Sequence, residues 1–216
     1  MNEFISRHFG RPQGVAGWMV SAVMNARNRA LYDALIGFLP TSSGGRVLDV
    51  GCGNGLVLGL LAEKLASGAG TSGTSNVPGA SYHFSGIDLS RDIIAAARRR
   101  NRKAIAGGSM DFSCQDVADL GFPDATFTSA FTINTVYFWP DLSRPLHEIH
   151  RVLEPGGHFL NVLYTNAELA THPHTRTGYA FYEPDELLDT TAQVGFKCKI
   201  IPLLDGRAYS VFATKV

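Results

Sequence analysis

Apolar positions along the chain fall into two alternating rhythms. Arg46–Val50, Ser81–Ile87, Met110–Cys114, Phe127–Ile133 and His158–Tyr164 are short runs rich in apolar and β-branched residues, and each predicts a strand. Leu56–Ala66 is apolar almost throughout, with Glu63 and Lys64 as the exceptions, and predicts a buried helix. Ser90 is a good N-cap for a helix over Arg91–Arg102. Leu142, Leu146, Ile149 and Leu153 recur at helical spacing until Pro155-Gly156-Gly157 ends that helix. The last section reads as helix Glu183–Gln193, strand Phe196–Ile201 and strand Tyr209–Thr214. The turn Leu204-Asp205-Gly206 makes those two strands a hairpin, and so an antiparallel edge on a mostly parallel sheet. Strands alternating with helices predict an α/β fold.

Two segments stand outside this rhythm. Residues 1–40 carry a helical apolar pattern through Trp18, Met19, Val23, Leu31, Leu35 and Phe38 that stops at Pro40, and are set apart as an N-terminal helical lid on a domain spanning 41–216. Residues 67–80 are a Gly/Ser/Thr stretch expected to form a flexible surface loop.

Composition narrows the function classes. The 19 Lys+Arg balance 19 Asp+Glu, which argues against a nucleic-acid partner held by bulk charge. No run approaches the roughly 18 apolar residues needed to span a bilayer. Val15–Met24 has the outline of a signal peptide but no convincing cleavage site, and it runs on into Asn25-Ala26-Arg27-Asn28-Arg29, so it is assigned to a helix. Cys52, Cys114 and Cys198 form neither a disulfide framework nor a CxxC metal pair, and a reducing cytoplasm is expected. No metal site is expected. Glycine, at 23 of 216 residues, exceeds its usual share of about 7 %, so the position of each glycine becomes the useful question.

Three of those glycines form the sharpest motif, Asp49-Val50-Gly51-Cys52-Gly53-Asn54-Gly55, where the first strand passes into a helix. A turn of this kind brings helix N-terminal amides and bare backbone to a ligand. Alone it fits NAD, FAD or simple packing. Its spacing is G-x-G-x-G, and the third glycine of a dinucleotide fingerprint would fall at Leu56, where a side chain interferes with close helix–strand packing. No Gly-Lys-Ser/Thr follows, which excludes a P-loop. Asp88 ends the second strand, where a carboxylate accepts both hydroxyls of a ribose. It lies 33 positions beyond Gly55, and removing the 14-residue stretch 67–80 reduces that to 19, close to the usual ~20. The competing account of Asp88 is a carboxylate at a helix start beside Ser90. Gln115-Asp116-Val117 follows the third strand, where a carboxylate can accept from an adenine amino group. All three elements lie at strand carboxyl ends, and together they outline an adenosine-shaped site.

On these residues the chain resembles class I S-adenosylmethionine-dependent methyltransferases, the broad group that includes quinone-biosynthesis C-methyltransferases. The resemblance is carried by VLDVGCGNG (47–55), GIDLS (86–90), QDVADLGFPDATF (115–127), INTVYFW (133–139), EIHRVLEPGGHF (148–159) and YEPDELLDTTAQVGF (182–196). It implies a Rossmann-like, seven-stranded, mostly parallel sheet of order 3-2-1-4-5-7-6 flanked by helices, with S-adenosyl-L-methionine as cofactor and S-adenosyl-L-homocysteine as product. Residue by residue, it implies Asp49, Gly51, Gly53 and Gly55 around the methionine moiety and Asp88 on the ribose. It further implies Leu89 against the adenine, Asp116 on the adenine amino group, Val117 at the ring edge, and Thr132 and Asn134 at the methionine end and transfer site. Thr128 departs from the family, which commonly has Phe-Asp where this chain has Phe127-Thr128.

A sulfonium methyl is already activated, so such an enzyme need mainly hold a nucleophile in line, and needs a base only where the nucleophile loses a proton. Acceptor clues come from segments covering the site. Phe9, Trp18, Met19 and Tyr32, with Tyr137, Phe138 and Trp139, make either an aromatic lid suited to an apolar acceptor or core residues packed on the sheet. His172, His174 and Tyr137 are weak candidates for a base, while His147 and His150 are expected to be structural or solvated. The basic run Arg98–Arg100, Arg102 and Lys103 suits a helix C-terminus without an RNA partner. The expected acceptor is a small molecule, and the protein a monomer or homodimer. The alternatives are a protein or tRNA methyltransferase and a non-catalytic cofactor-binding partner subunit.

Overall fold

The computed structural model describes residues 27–40, 44–67, 81–171, 175 and 178–216. Phe9, Trp18 and Met19, all but Ser67 of the 67–80 stretch, and both His172 and His174 lie outside those residues.

The elements are α1 (Arg29–Phe38), β1 (Gly45–Val50), α2 (Leu56–Ala66), β2 (Tyr82–Asp88), α3 (Arg91–Arg100), α4 (Arg102–Ala106), β3 (Met110–Cys114), β4 (Phe127–Ile133), α5 (Ser143–Val152), β5 (Leu153–Tyr164), α6 (Asn166–Ala170), α7 (Pro184–Gln193), β6 (Phe196–Leu203) and β7 (Ala208–Lys215). The strands form one sheet in the order β3-β2-β1-β4-β5-β7-β6. β1 lies parallel to β2 and β4, and β7 is inserted antiparallel between β5 and β6. Strands covered on both faces need continuous apolar runs, and Val47 to Val50 are all buried.

Helices cover both faces. Leu146 and Ile149 of α5 and Leu187 of α7 pack on one, with Phe127 and Phe159. Leu58 of α2 and Ile94 of α3 pack on the other, and there α1 joins them. Leu31, Leu35 and Leu39 have no exposed surface and share a cluster with Phe131, Leu160 and Val162. Each buried leucine contributes roughly 1.5–3 kcal/mol, and that burial holds α1 against the sheet.

Two of the departures from the expected boundaries have a clear local cause. The helix expected over Arg91–Arg102 stops at Arg100, because Asn101 turns inward. Its Nδ2 donates to the Gly55 carbonyl at 3.0 Å and to the Ala97 carbonyl at 3.1 Å. The strand expected from His158 begins at Leu153 instead. Leu153 pairs with Phe127 and His158 with Ser129, so Pro155-Gly156-Gly157 forms a bulge within β5, with Gly156 at φ 78°.

Candidate active site

The glycine loop joins β1 to α2 at the carboxyl edge of the sheet. The Gly51 and Cys52 amides both donate to the Ile87 carbonyl, at 2.9 and 2.8 Å, which pins the loop to β2. Gly51, Gly53 and Gly55 all hold the left-handed conformation, at φ 74°, 53° and 70°, but for different reasons. A Cβ on Gly51 would overlap the Thr135 side chain, and one on Gly55 would lie 2.8 Å from Phe112 Cζ. One on Gly53 would meet nothing within 4 Å, and Gly53 lines a cavity of about 790 Å³. Gly55 therefore serves packing, Gly51 lines the cavity with Thr135 close against it, and Gly53 leaves room for a ligand. α2 starts at Gly55 with no side-chain cap, and Asn54, Leu56 and Val57 line the cavity, so its first turn borders the ligand space.

Two carboxylates stand beside the loop. Asp49 is 3 % exposed, and its Oδ2 has no hydrogen-bond partner among the described residues. Burial foremost, and then the nearby Asp88 charge, hold its pKa well above the usual carboxylate range. Asp88 accepts the Ser90 amide on Oδ1 at 2.9 Å and the Gly53 amide on Oδ2 at 3.3 Å. Burial raises its pKa and those two bonds pull it back. A carboxylate has about four acceptor positions, so both oxygens retain capacity for a ligand's hydroxyls. Asp88 thus braces the helix start through the Ser90 amide and lines the cavity with the same side chain, while Ser90 itself is the N-cap.

Asp116 lines the same cavity, and its Oδ1 accepts the Ala118 amide at 2.9 Å, closing a tight turn. Leu89, 44 % exposed, and Val117 border it. This loop is anchored by Gln115, which belongs to the strand-end motif itself, and by Glu148 and Arg151, to which the sequence assigned no role. Gln115 Oε1 accepts the Gly121 amide at 2.8 Å, and Glu148 Oε2 accepts the Leu120 amide at 2.7 Å. Arg151 grips both Glu148 oxygens and donates to the Leu120 and Phe122 carbonyls, a bidentate geometry suited to positioning. The hydrogen bond from Arg151 is the main cause holding the Glu148 pKa down. The Glu148/Arg151 spacing of three residues was the available signal.

The end of β4 corrects one expectation. Thr132 does not reach the cavity. It is fully buried, its hydroxyl donates to the Val50 carbonyl at 2.8 Å, and it contacts the Thr135 hydroxyl. Thr135 takes the wall position instead. Gly55 likewise lies behind the wall, against Asn101 and Phe112. Asn134 does line the cavity, at φ 55°, a conformation asparagine tolerates better than most residues. Its Nδ2 donates to Asn28 Oδ1 at 3.3 Å, and its Oδ1 accepts the Tyr137 hydroxyl at 3.3 Å and the Tyr164 amide at 3.4 Å.

Tyr137 also donates to the Tyr164 carbonyl at 3.1 Å, and burial pushes its pKa well up. The phenol is therefore neutral, and its single proton has two protein oxygens within reach, an arrangement that suits a positioning group better than a base. Tyr137, Phe138 and Trp139 all line the cavity, and Tyr179 packs behind Tyr137 and Phe138 at centroid distances of 5.5 and 4.8 Å. These rings, with Tyr32, are at once core and wall. His147 and His150 lie on α5 away from the cavity. Burial lowers the pKa of His150, whose ring meets the edge of Phe196 at 4.8 Å.

The chain was compared with known proteins. A family model described as "Methyltransferase domain" matches residues 48–161, more than half of the chain. A 27-O-demethylrifamycin SV methyltransferase from Amycolatopsis mediterranei is 31 % identical over 137 residues, covering 63 % of this chain and 45 % of that protein. A fatty-acid O-methyltransferase from Mycolicibacterium smegmatis is 36 % identical over 124 residues, covering 57 % of this chain and 38 % of that protein. The chain thus spans less than half the length of these relatives. Among solved structures, the [4+2]-cyclase SpnF superposes with a TM-score of 0.71 at 21 % identity, over 88 % of this chain and 81 % of that one, a likeness of fold alone.

Proposed function

The chain belongs to the methyltransferase domain family, and from that premise we propose that it transfers the methyl group of S-adenosyl-L-methionine to a small acceptor with an apolar or aromatic body. The observation that carries the cofactor assignment is the buried Asp49 oxygen without a donor, on the wall of the same cavity as Gly53 and Asp88. An acceptor atom left unpaired inside a protein costs about 1–3 kcal/mol, and an ammonium group on the ligand would relieve that cost. Asp88 fits a ribose diol, Asp116 an adenine amino group, and the space over Gly53 a ligand resting on bare backbone.

When bound, the cofactor supplies a sulfonium-activated methyl group. The chain's own part is then to bind, orient and exclude water. Asp49 would hold the amino-acid end of the cofactor, Asp88 its ribose and Asp116 its adenine, and the hydrogen bond from the Gly53 amide fixes the Asp88 carboxylate beside the loop. Tyr137, Phe138 and Trp139 form an apolar wall on which an acceptor can rest in line with the methyl group, and such positioning can supply several kcal/mol of the barrier. The named activities of the two relatives, on a rifamycin and on fatty acids, support a small and largely apolar acceptor. The fold does not decide the chemistry, since a protein named as a cyclase shares it.

The test combines calorimetric titration of S-adenosyl-L-homocysteine with transfer of a labelled methyl group to a panel of phenols, carboxylic acids, amines and activated carbons. Affinity in the micromolar range together with label in at least one small acceptor supports the reading. Binding without transfer to any of them, or transfer only to tRNA or protein, overturns it.

A further inference from the structure

Helix α1 lies outside the stretch matched by the family, yet it brings two residues to the cavity wall. These are Asn28 at its start and Tyr32 one turn later. Tyr32 is 7 % exposed, and its neighbours Leu31 and Leu35 are fully buried against the sheet, so core packing sets the position of the phenol. Asn28 Oδ1 accepts the Asn134 amide at 3.3 Å, and the Asn28 side chain also hydrogen-bonds the Tyr32 hydroxyl. A phenol can accept one hydrogen bond while donating another. Tyr32 and Asp49 border the same cavity, close enough for the Asp49 charge to help hold the phenol protonated. Of the buried side-chain atoms without a hydrogen-bond partner among the described residues, Asp49 Oδ2 is the one on the cavity wall; those of Asn161 and Ser210 lie elsewhere.

The pair offers complementary chemistry. An ionised Asp49 can only accept, whereas a protonated phenol can donate. An α-amino-acid group carries an ammonium, which donates, and a carboxylate, which accepts, on one carbon. We propose that Tyr32 is a cofactor-binding residue, donating to the carboxylate of the cofactor's amino-acid end while Asp49 takes the ammonium. Helix α1 is then part of the cofactor site and not only a cover over it. This rests on the cofactor assignment under Proposed function and adds to it a residue from outside the matched family stretch.

Two ligands separate the proposal from that assignment. S-adenosyl-L-homocysteine carries the amino-acid end, whereas 5′-methylthioadenosine keeps the adenosine and the thioether without it. Calorimetry on the wild-type chain, Tyr32→Phe and Asp88→Ala gives the readout, with the melting temperature of each ligand-free protein beside it. The expected result is that Tyr32→Phe weakens S-adenosyl-L-homocysteine about 10-fold or more, as for a hydrogen bond to a charged group. It should leave 5′-methylthioadenosine within about twofold, and Asp88→Ala should weaken both. If Tyr32→Phe binds both ligands as the wild type does, or loses both equally, the proposal is overturned, whether or not its melting temperature has moved. A wild-type chain that binds neither ligand overturns the cofactor assignment itself, and the proposal with it.

Discussion

The two ends of the cavity are built in different ways. The end at β1, β2 and β3 is made from backbone turns and acids, with Asp49, Gly53, Asp88 and Asp116 all at or just beyond strand carboxyl ends. Its decisive contact joins the Gly53 amide to Asp88 at 3.3 Å. The end at β4 and β5 is made from side chains that meet around Asn134, whose partners stand at positions 28, 137 and 164. A backbone site needs glycines and carboxylates at set places and tolerates little else. A side-chain hub can be rebuilt with other residues, so it can change its acceptor while the first end stays as it is. The family match over residues 48–161 takes in the whole backbone-built end together with Asn134 and Tyr137, but neither Asn28 nor Tyr164 of the side-chain hub.

Substitutions can break the comparison or sharpen it. The largest effect is expected from Asp88→Ala, which removes charge-assisted hydrogen bonds worth roughly 1.5–3 kcal/mol each. Calorimetry should then show S-adenosyl-L-homocysteine binding weakened about 100-fold or more, with the fold retained by circular dichroism. An unchanged affinity would remove Asp88 from the backbone-built end.

Asp49→Asn is expected to cost less affinity, about 10-fold, and to have the opposite effect on stability. The folded-state pKa of Asp49 is raised, so the folded chain binds this proton more readily than the unfolded chain does. Its contribution to stability is therefore largest at low pH and is lost as pH rises from the usual carboxylate range through the raised value. A neutral amide escapes that loss, and the ligand-free variant should melt about 2–4 °C higher at neutral pH, with the gap narrowing in acid. A lower melting temperature would mean that Asp49 holds the fold together rather than the ligand.

At the side-chain end, Tyr137→Phe removes one hydroxyl from the Asn134 hub. The expected change is less than about 10-fold in kcat, whereas losing a general base would cost about 10²–10⁴. Single-turnover rates with a working acceptor decide between the two. The smallest effect is expected from replacing residues 68–80 with a short glycine linker. Loop-closure cost grows only slowly with length, so melting temperature and cofactor affinity should move by less than about 2 °C and twofold. A larger change in either would tie that stretch to the cofactor end.

Legibility followed the same division. The positions of the seven strands and the places of Asp49, Gly53 and Asp88 along the chain were readable because strand periodicity, glycine spacing and strand-end acids are local signals. Thr132 and Gly55 were placed correctly along the chain and wrongly in depth. Whether a residue next to a turn faces the ligand or the protein depends on Thr135, Asn101 and Phe112, which arrive from other elements. The loop anchor at Arg151 was missed for a related reason, since a Glu148/Arg151 spacing looks like any helical pair until its outer partners are known. Helix α1 makes the point most sharply. Its apolar spacing announces an amphipathic helix, and nothing in that spacing says that Leu31 and Leu35 will pack on Phe131 and Leu160. That packing is what carries Tyr32 to the wall beside Asp49.

By itself, then, the sequence determined the fold class and the backbone-built end of the cavity, because those follow from periodicity and from residues near one another in the chain; the strand order was legible only through the family resemblance. Tertiary structure alone decided which of those residues touch the cavity and which merely support it, and it assembled the Asn134 hub across 106 positions of sequence. The physical reason is that side-chain burial is settled by whichever element packs opposite, and no local pattern encodes that.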